Sequence, residues 1–275
     1  MQTRPAPPAA TNRGILAALI LPLCPLALSG AGNPPSEAGP QSPGSPGFEA
    51  LLAEAQAADA QFNPDRALQF YLRAHAERPN DTGVLLKIAK EYSDSTLAVS
   101  DPDEKRRRIA KALEYSERAV ELDPRSPVAL LSKAVCYGKL GLYGDTRERI
   151  EYARLVKEYA DRALAEDPNY AYAHHVLGQW EYEVAAIGRA KRLLVTLVFG
   201  GLPDASTQEG VRQLELAVRL EPNVSSHRLA LGFAYQANGE PAKARAMFEQ
   251  VIAMPCRELY DADCRRQAER AIAGP

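Results

Sequence analysis

In 275 residues the chain carries 33 basic against 35 acidic side chains, a balance that argues against a nucleic-acid-binding surface as its main business, since such domains show a basic excess. The length allows one or two domains. The near-neutral charge leaves local patches open.

Residues 1–31 have the order of a secretory signal peptide: Arg4 and Arg13, then an apolar run from Gly14 to Leu28, then Ser29, Gly30 and Ala31. The run is shorter than the about 20 residues a spanning helix needs, and Pro22 and Pro25 interrupt it. Cleavage is expected after Ser29 or Ala31; the alternative is an uncleaved N-terminal anchor, the chain's one route to a membrane. Residues 32–47, rich in Pro, Gly and Ser, read as a flexible linker that cannot bury an apolar face. Together these segments place the protein in the periplasm or outside the cell.

The folded part, residues 48–275, is organised around a recurring joint. Ala74, Ala119, Ala163 and Ala217 each lie five residues before a proline, namely Pro79, Pro124, Pro168 and Pro222. Proline lacks a backbone donor and disfavours helix in the residue before it, so the chain turns at each joint, while the small residue lets two helices approach. The prolines recur at intervals longer than the about 34 residues of a tetratricopeptide repeat. The last unit keeps that repeat's pattern closely, with Leu231-Gly232, Tyr235, Gly239, Ala244, Phe248 and Pro255. The expected fold is all-α: a tetratricopeptide-like helical-hairpin solenoid of about five units, with long inserted turns and a C-terminal closing helix.

The first hairpin covers residues 48–61 and a helix begun at Asn63-Pro64. The second covers Thr82 to Asp94 and Asp103 to Leu122, where the basic run Lys105-Arg106-Arg107-Arg108 points around the helix and reads as a solvated face. Ser126-Pro127 starts the third, which turns near Gly144-Asp145. The fourth runs from Tyr170 through Trp180 into the segment Arg189 to Phe199, whose apolar residues Leu193 to Phe199 are assigned to the core, with a lipid-facing or partner-facing patch as the alternative, and ends at Gly200-Gly201. Ser206-x-x-Glu209 reads as a capping box for the helix to Glu221. The fifth spans Ser225 to Ala253, and Asp263 to Ile272 closes the fold.

The segments Tyr159 to Pro168, Leu177 to Val184 and Leu197 to Ser206 resemble the repeat region of regulator of microtubule dynamics proteins, over roughly residues 50–272. The resemblance implies a non-enzymatic helical-repeat protein. Members of that family are associated with microtubules or contacts between organelle membranes, and one branch is linked to phospholipid binding. The N-terminal signal and linker depart from the family and suggest a bacterial exported relative.

No catalytic constellation is visible: nucleophile-elbow, phosphate-loop and dinucleotide fingerprints are absent, and no cofactor is implied. His174 and His175, adjacent on a helix, face different ways and lack partners at metal-ligand spacing, so no metal site is expected. Cys136 reads as a buried packing residue. Cys256 and Cys264 bracket the loop into the last helix and form a candidate disulfide in an oxidising compartment.

The expected activity is binding. The first helix of each hairpin lines the concave face of such a solenoid, which places Lys90, Lys133, Tyr137, His175, Gln179, Glu183, Phe233 and Gln236 along a groove for a protein or peptide partner. The alternative is a lipid- or amphiphile-binding carrier of the cell envelope.

Overall fold

The computed structural model describes residues 46–274. The signal peptide and nearly all of the linker lie outside the described residues; Pro46 and Gly47, assigned to the linker, instead open the first helix.

The described residues form twelve α-helices, one 3-10 turn and no strand. The hairpins are α1 (Pro46–Ala60) with α2 (Pro64–Glu77), α3 (Thr82–Asp94) with α4 (Pro102–Leu122), and α5 (Pro127–Gly141) with α6 (Thr146–Glu166). In the fourth, α7 (Ala171–Ala185) is followed by an inserted helix, α8 (Arg189–Phe199), before its partner α9 (Thr207–Leu220). The last hairpin is α10 (Ser225–Ala237) with α11 (Pro241–Ala253), and α12 (Asp261–Ala273) closes the stack against both.

Local chemistry sets most helix starts. Asn63, Asp81, Asp101 and Ser126 each accept a hydrogen bond from a backbone N–H in the first turn, and proline stands there in α2, α4, α5 and α11. The complete capping box is at α6, where Asp145 and Glu148 satisfy each other's backbone N–H groups. At α9 the expected box is only half formed. Ser206 accepts from the Glu209 N–H, but the Glu209 side chain turns to Arg212 and Gln213, and the Ser206 N–H donates to Glu181 instead.

The joints repeat atom for atom. The N–H groups of Arg78, Asp123, Asp167 and Glu221 donate to the carbonyls of Ala74, Ala119, Ala163 and Ala217, and those of Asp81, Ser126, Tyr170 and Val224 then donate to the carbonyls of Arg78, Asp123, Asp167 and Glu221. All four alanines are fully buried. The proline forbids helical continuation, and the missing side-chain volume lets the next helix cross.

In the fourth hairpin the two backbones approach closely. A Cβ on Gly178 would stand 2.9 Å from the Gly210 carbonyl, and one on Gly210 would stand 2.8 Å from the Gly178 carbonyl. Leu214 and Tyr182 fill the space around this contact and are buried.

Three expectations change on folding. The fourth unit does not run on to Phe199: the helix stops at Ala185, and α8 is a separate piece. Its segment Leu193 to Phe199 is not core, because Leu193, Leu194, Leu197 and Val198 are 55–75% exposed and only Val195 is buried. The basic run on α4 is not simply a solvated face. Arg106 binds Glu148 and the Tyr143 carbonyl, tying α4 to the third hairpin, while Arg108 binds Asp65 and the Ser95 carbonyl, tying it back toward the first.

Candidate partner-binding surface

Lys133 and Tyr137 lie one turn apart on α5 and meet side chains from both flanking helices. The Lys133 ammonium donates to the Tyr159 hydroxyl at 2.9 Å, stands 4.4 Å from that ring's centroid, and reaches Glu117 at 3.4 Å. Tyr137 stacks on Tyr152 with centroids 5.7 Å apart, tilts against Tyr159 at 5.8 Å, and donates to Glu117 at 3.4 Å. Burial alone would pull Lys133 down, but the Tyr159 hydrogen bond and Glu117 outweigh it and raise its pKa. Burial raises Tyr137 and Tyr152, so both stay neutral hydroxyls at neutral pH. The three tyrosines are half-buried. Tyr92 and Tyr115, stacked at 5.9 Å, border the apolar cluster that Tyr152 also borders.

The expected groove includes Lys133 and Tyr137 but not Tyr152, Tyr159 and Glu117, which the structure packs beside them. The two tyrosines stand seven residues apart on α6, two turns along one face, a signal that was available.

His175 and Gln179 are fully buried rather than open to a groove. His175 Nδ1 faces His227 Nδ1 at 3.1 Å, so one ring donates and the other accepts. Tyr172 packs edge-on against His227 at 4.8 Å, and Glu221 lies 3.7 Å from His227 Nε2. Burial holds both histidines neutral, His227 down at about 3 and His175 well below its ordinary value. Gln179 donates to Glu183 at 2.9 Å. Part of Glu183 reaches solvent, yet protein surrounds its carboxyl group and pushes it up to about 8. His174 points elsewhere, to Gln213 and the Pro168 carbonyl. This constellation is the joint between α7 and α10.

Lys90 is likewise buried. Its ammonium stands 2.9 Å from Asp59, 2.9 Å from Glu91 and 3.1 Å from Asp94. Tyr260, at the entry to α12, donates to Asp94 at 2.5 Å and lies 3.4 Å from the Lys139 ammonium, which donates in turn to Ser93. Residues 94 and 260 therefore meet across most of the chain, and the solenoid closes on itself here. Burial lowers Lys139 and raises Glu91 to about 7, while the surrounding carboxylates overcome burial and raise Lys90.

In the fifth hairpin Phe233 packs edge-on against Phe248 at 5.1 Å, and Gln236 is exposed. The eight expected residues thus fall into four places. The expected bridge between Cys256 and Cys264 is not formed: Cys256 is exposed in the loop, whereas Cys264 turns into the core beside Ala268. Cys136 is buried, as its apolar neighbours imply.

The remaining surface feature is α8, which packs only lightly on the body. Val195 and the preceding Ile187 are its buried contacts. Arg154 of α6 donates to the Phe199 and Gly201 carbonyls, and Gly200, in the left-handed region at φ +80°, ends the helix. A cleft of about 540 Å³ between α6 and this end is lined by Arg147, Ile150, Glu151, Arg154, Val198 and Phe199.

The fold resembles that of a thermophilic tetratricopeptide-repeat protein from Thermus thermophilus, at a TM-score of 0.59 and 21% identity over 82% of this chain and 100% of that one. Among sequence relatives, regulator of microtubule dynamics protein 1 of Bos taurus is 28% identical over 207 residues, 74% of this chain and 65% of its own length. The Mus musculus protein 1 is 24% identical over 82% of this chain and 74% of its own length. Protein 3 of Rattus norvegicus is 24% identical over 80% of this chain, which spans only 48% of that relative. Residues 51–274, the whole hairpin stack and its closing helix, match the family model described as Regulator of microtubule dynamics protein 1-3. The chain belongs to the regulator of microtubule dynamics protein family.

Proposed function

We propose that this chain is a non-enzymatic helical-repeat scaffold that takes a protein or peptide segment on its concave side, over the tyrosine surface of α4, α5 and α6. The observation that carries this reading is Lys133 set between Tyr137 and Tyr159, with Tyr152 stacked on Tyr137 and Glu117 at its edge. Tyrosines with fixed rings lose little entropy when a partner settles on them, and aromatic residues are enriched at interfaces. The relatives are named for regulating microtubule dynamics; for this chain the reading stops at a polypeptide partner.

Tyr137→Ala should weaken a captured partner by about 2 kcal/mol, the scale of a central interface residue, with helical content unchanged by circular dichroism. Charge reversal at Lys133 should also weaken it. Capture unchanged in both variants removes the assignment.

A second reading, carriage of a lipid or amphiphile in the cell envelope, is favoured by the exposed apolar face of α8. Native mass spectrometry of exported protein tests it together with the proposed periplasmic or secreted location. Stoichiometric co-purified lipid supports carriage, and a chain beginning between Gly30 and Gly32 supports the cleaved leader. A bare, full-length mass in the cytoplasm counts against both.

A further inference from the structure

Four large apolar side chains stand in solvent on one face of α8. Leu193 and Leu197 are one turn apart, Leu194 and Val198 are one turn apart, and the two pairs are adjacent, so they make a continuous stripe. An exposed apolar stripe on a folded domain marks a contact surface. Its charge surroundings lean basic. From Arg189 to Pro203 the sequence holds Arg189, Lys191 and Arg192 and no acidic residue, although the chain as a whole is nearly neutral. Arg192 is held by Asp204 at 3.1 Å, whereas Lys191 makes no ion pair among the described residues. At the other end of the stripe Arg147 lines the cleft beside Val198 and Phe199, with Glu151 the only carboxylate there.

We propose that α8 is an interfacial helix that seats this protein on an anionic lipid bilayer. Its apolar stripe enters the acyl boundary, and Lys191 and Arg147 face the headgroups. Eleven residues make a helix about 16 Å long, half the about 30 Å of a hydrocarbon core, so α8 lies in the surface and does not cross it. A basic end joined to an apolar face is the composition such in-plane helices have. Size decides against a second copy or another stable protein partner. Four side chains fall far short of the about 20–30 residues a side that a standard interface buries, whereas a bilayer needs no matching surface. The hold on the body suits this role: Val195 and the Arg154 hydrogen bonds fix the helix by its other side and leave the stripe free. The inference deepens the lipid reading but needs only a bilayer surface, so a protein purified without lipid would end carriage and leave docking intact.

The test is flotation of the full chain with vesicles of phosphatidylcholine and phosphatidylglycerol in equal parts, against pure phosphatidylcholine, at low and high salt. The wild type should float with the anionic vesicles only, and less so in high salt. The double variant L193E/L197E should lose about tenfold or more in apparent affinity while keeping its thermal transition, because both positions are exposed. A gain-of-signal variant, L194W, should shift its emission to the blue on anionic vesicles. Trp180 will not interfere, since it is buried with its N–H bound to the Ala153 carbonyl. The proposal is overturned if the wild type ignores anionic vesicles, if L193E/L197E floats equally well, or if the wild type forms a concentration-dependent dimer that this variant abolishes.

Discussion

Replacing Lys90 by methionine lowers the unfolding free energy by about 3–5 kcal/mol, read as a lower urea midpoint at unchanged slope. Methionine keeps the length of the side chain but removes the cation that Asp59, Glu91 and Asp94 share. Glu91 and Asp94 are nearly inaccessible to water, so their charges lose their partner without regaining solvent. The pH dependence checks the cause. Burial already raises Glu91 to about 7 with Lys90 present, so its penalty on the fold is relieved as pH falls through 7 toward the unfolded carboxylate value and grows as pH rises. Without Lys90 the Glu91 pKa rises further, and the deficit of the variant shrinks on acidification. An unchanged midpoint, or a deficit that widens in acid, would show that packing rather than charge is the source. Because Asp94 also accepts from Tyr260, the variant should loosen α12 as well as α3.

Acid attacks the joint between α7 and α10. His227 is held near a pKa of about 3 by burial and the neighbouring Arg228, against about 6.5 in an unfolded chain. A depressed histidine favours the fold fully only above the unfolded value, and that favour is lost as pH falls below it. At pH 5 the loss amounts to about 2 kcal/mol for this one side chain. Glu221 at 3.7 Å would favour the charged ring, but the same burial raises Glu221 itself, and desolvation of the imidazole wins. Glu183 and Glu91, both raised, act in the opposite sense and partly hide the effect in the wild type. Comparison with His227→Gln removes them from the account, since both proteins carry them. Urea unfolding at pH 7 and pH 5 should show the wild type losing about 2 kcal/mol more than the variant over that interval. Parallel losses would refute the argument.

The repeat was legible because its cause is local. A proline five residues after an alanine dictates a turn and a close crossing wherever it occurs, and the four joints share the same two backbone hydrogen bonds. Asn63, Asp81 and Ser126 start helices by chemistry within three residues of themselves. The groove was less legible. Its residues came from register on the first helices, and register says which way a side chain points but not what arrives opposite it. His175 is buried against His227, and Lys90 is enclosed by Asp59, Glu91 and Asp94. The α8 error has the same origin: an apolar run of seven residues is equally compatible with a core and with a surface stripe.

By itself, then, the sequence determined the helical hairpins, their number, their joints and the closing helix, since backbone chemistry and volume at fixed spacing decide those. Only the tertiary structure decided that Tyr260 returns to Asp94, that two histidines share a buried contact, and that α8 turns its leucines outward. Those outcomes depend on how successive crossings add up across the stack, bringing residues 166 positions apart into one hydrogen bond, and no local rule carries that sum.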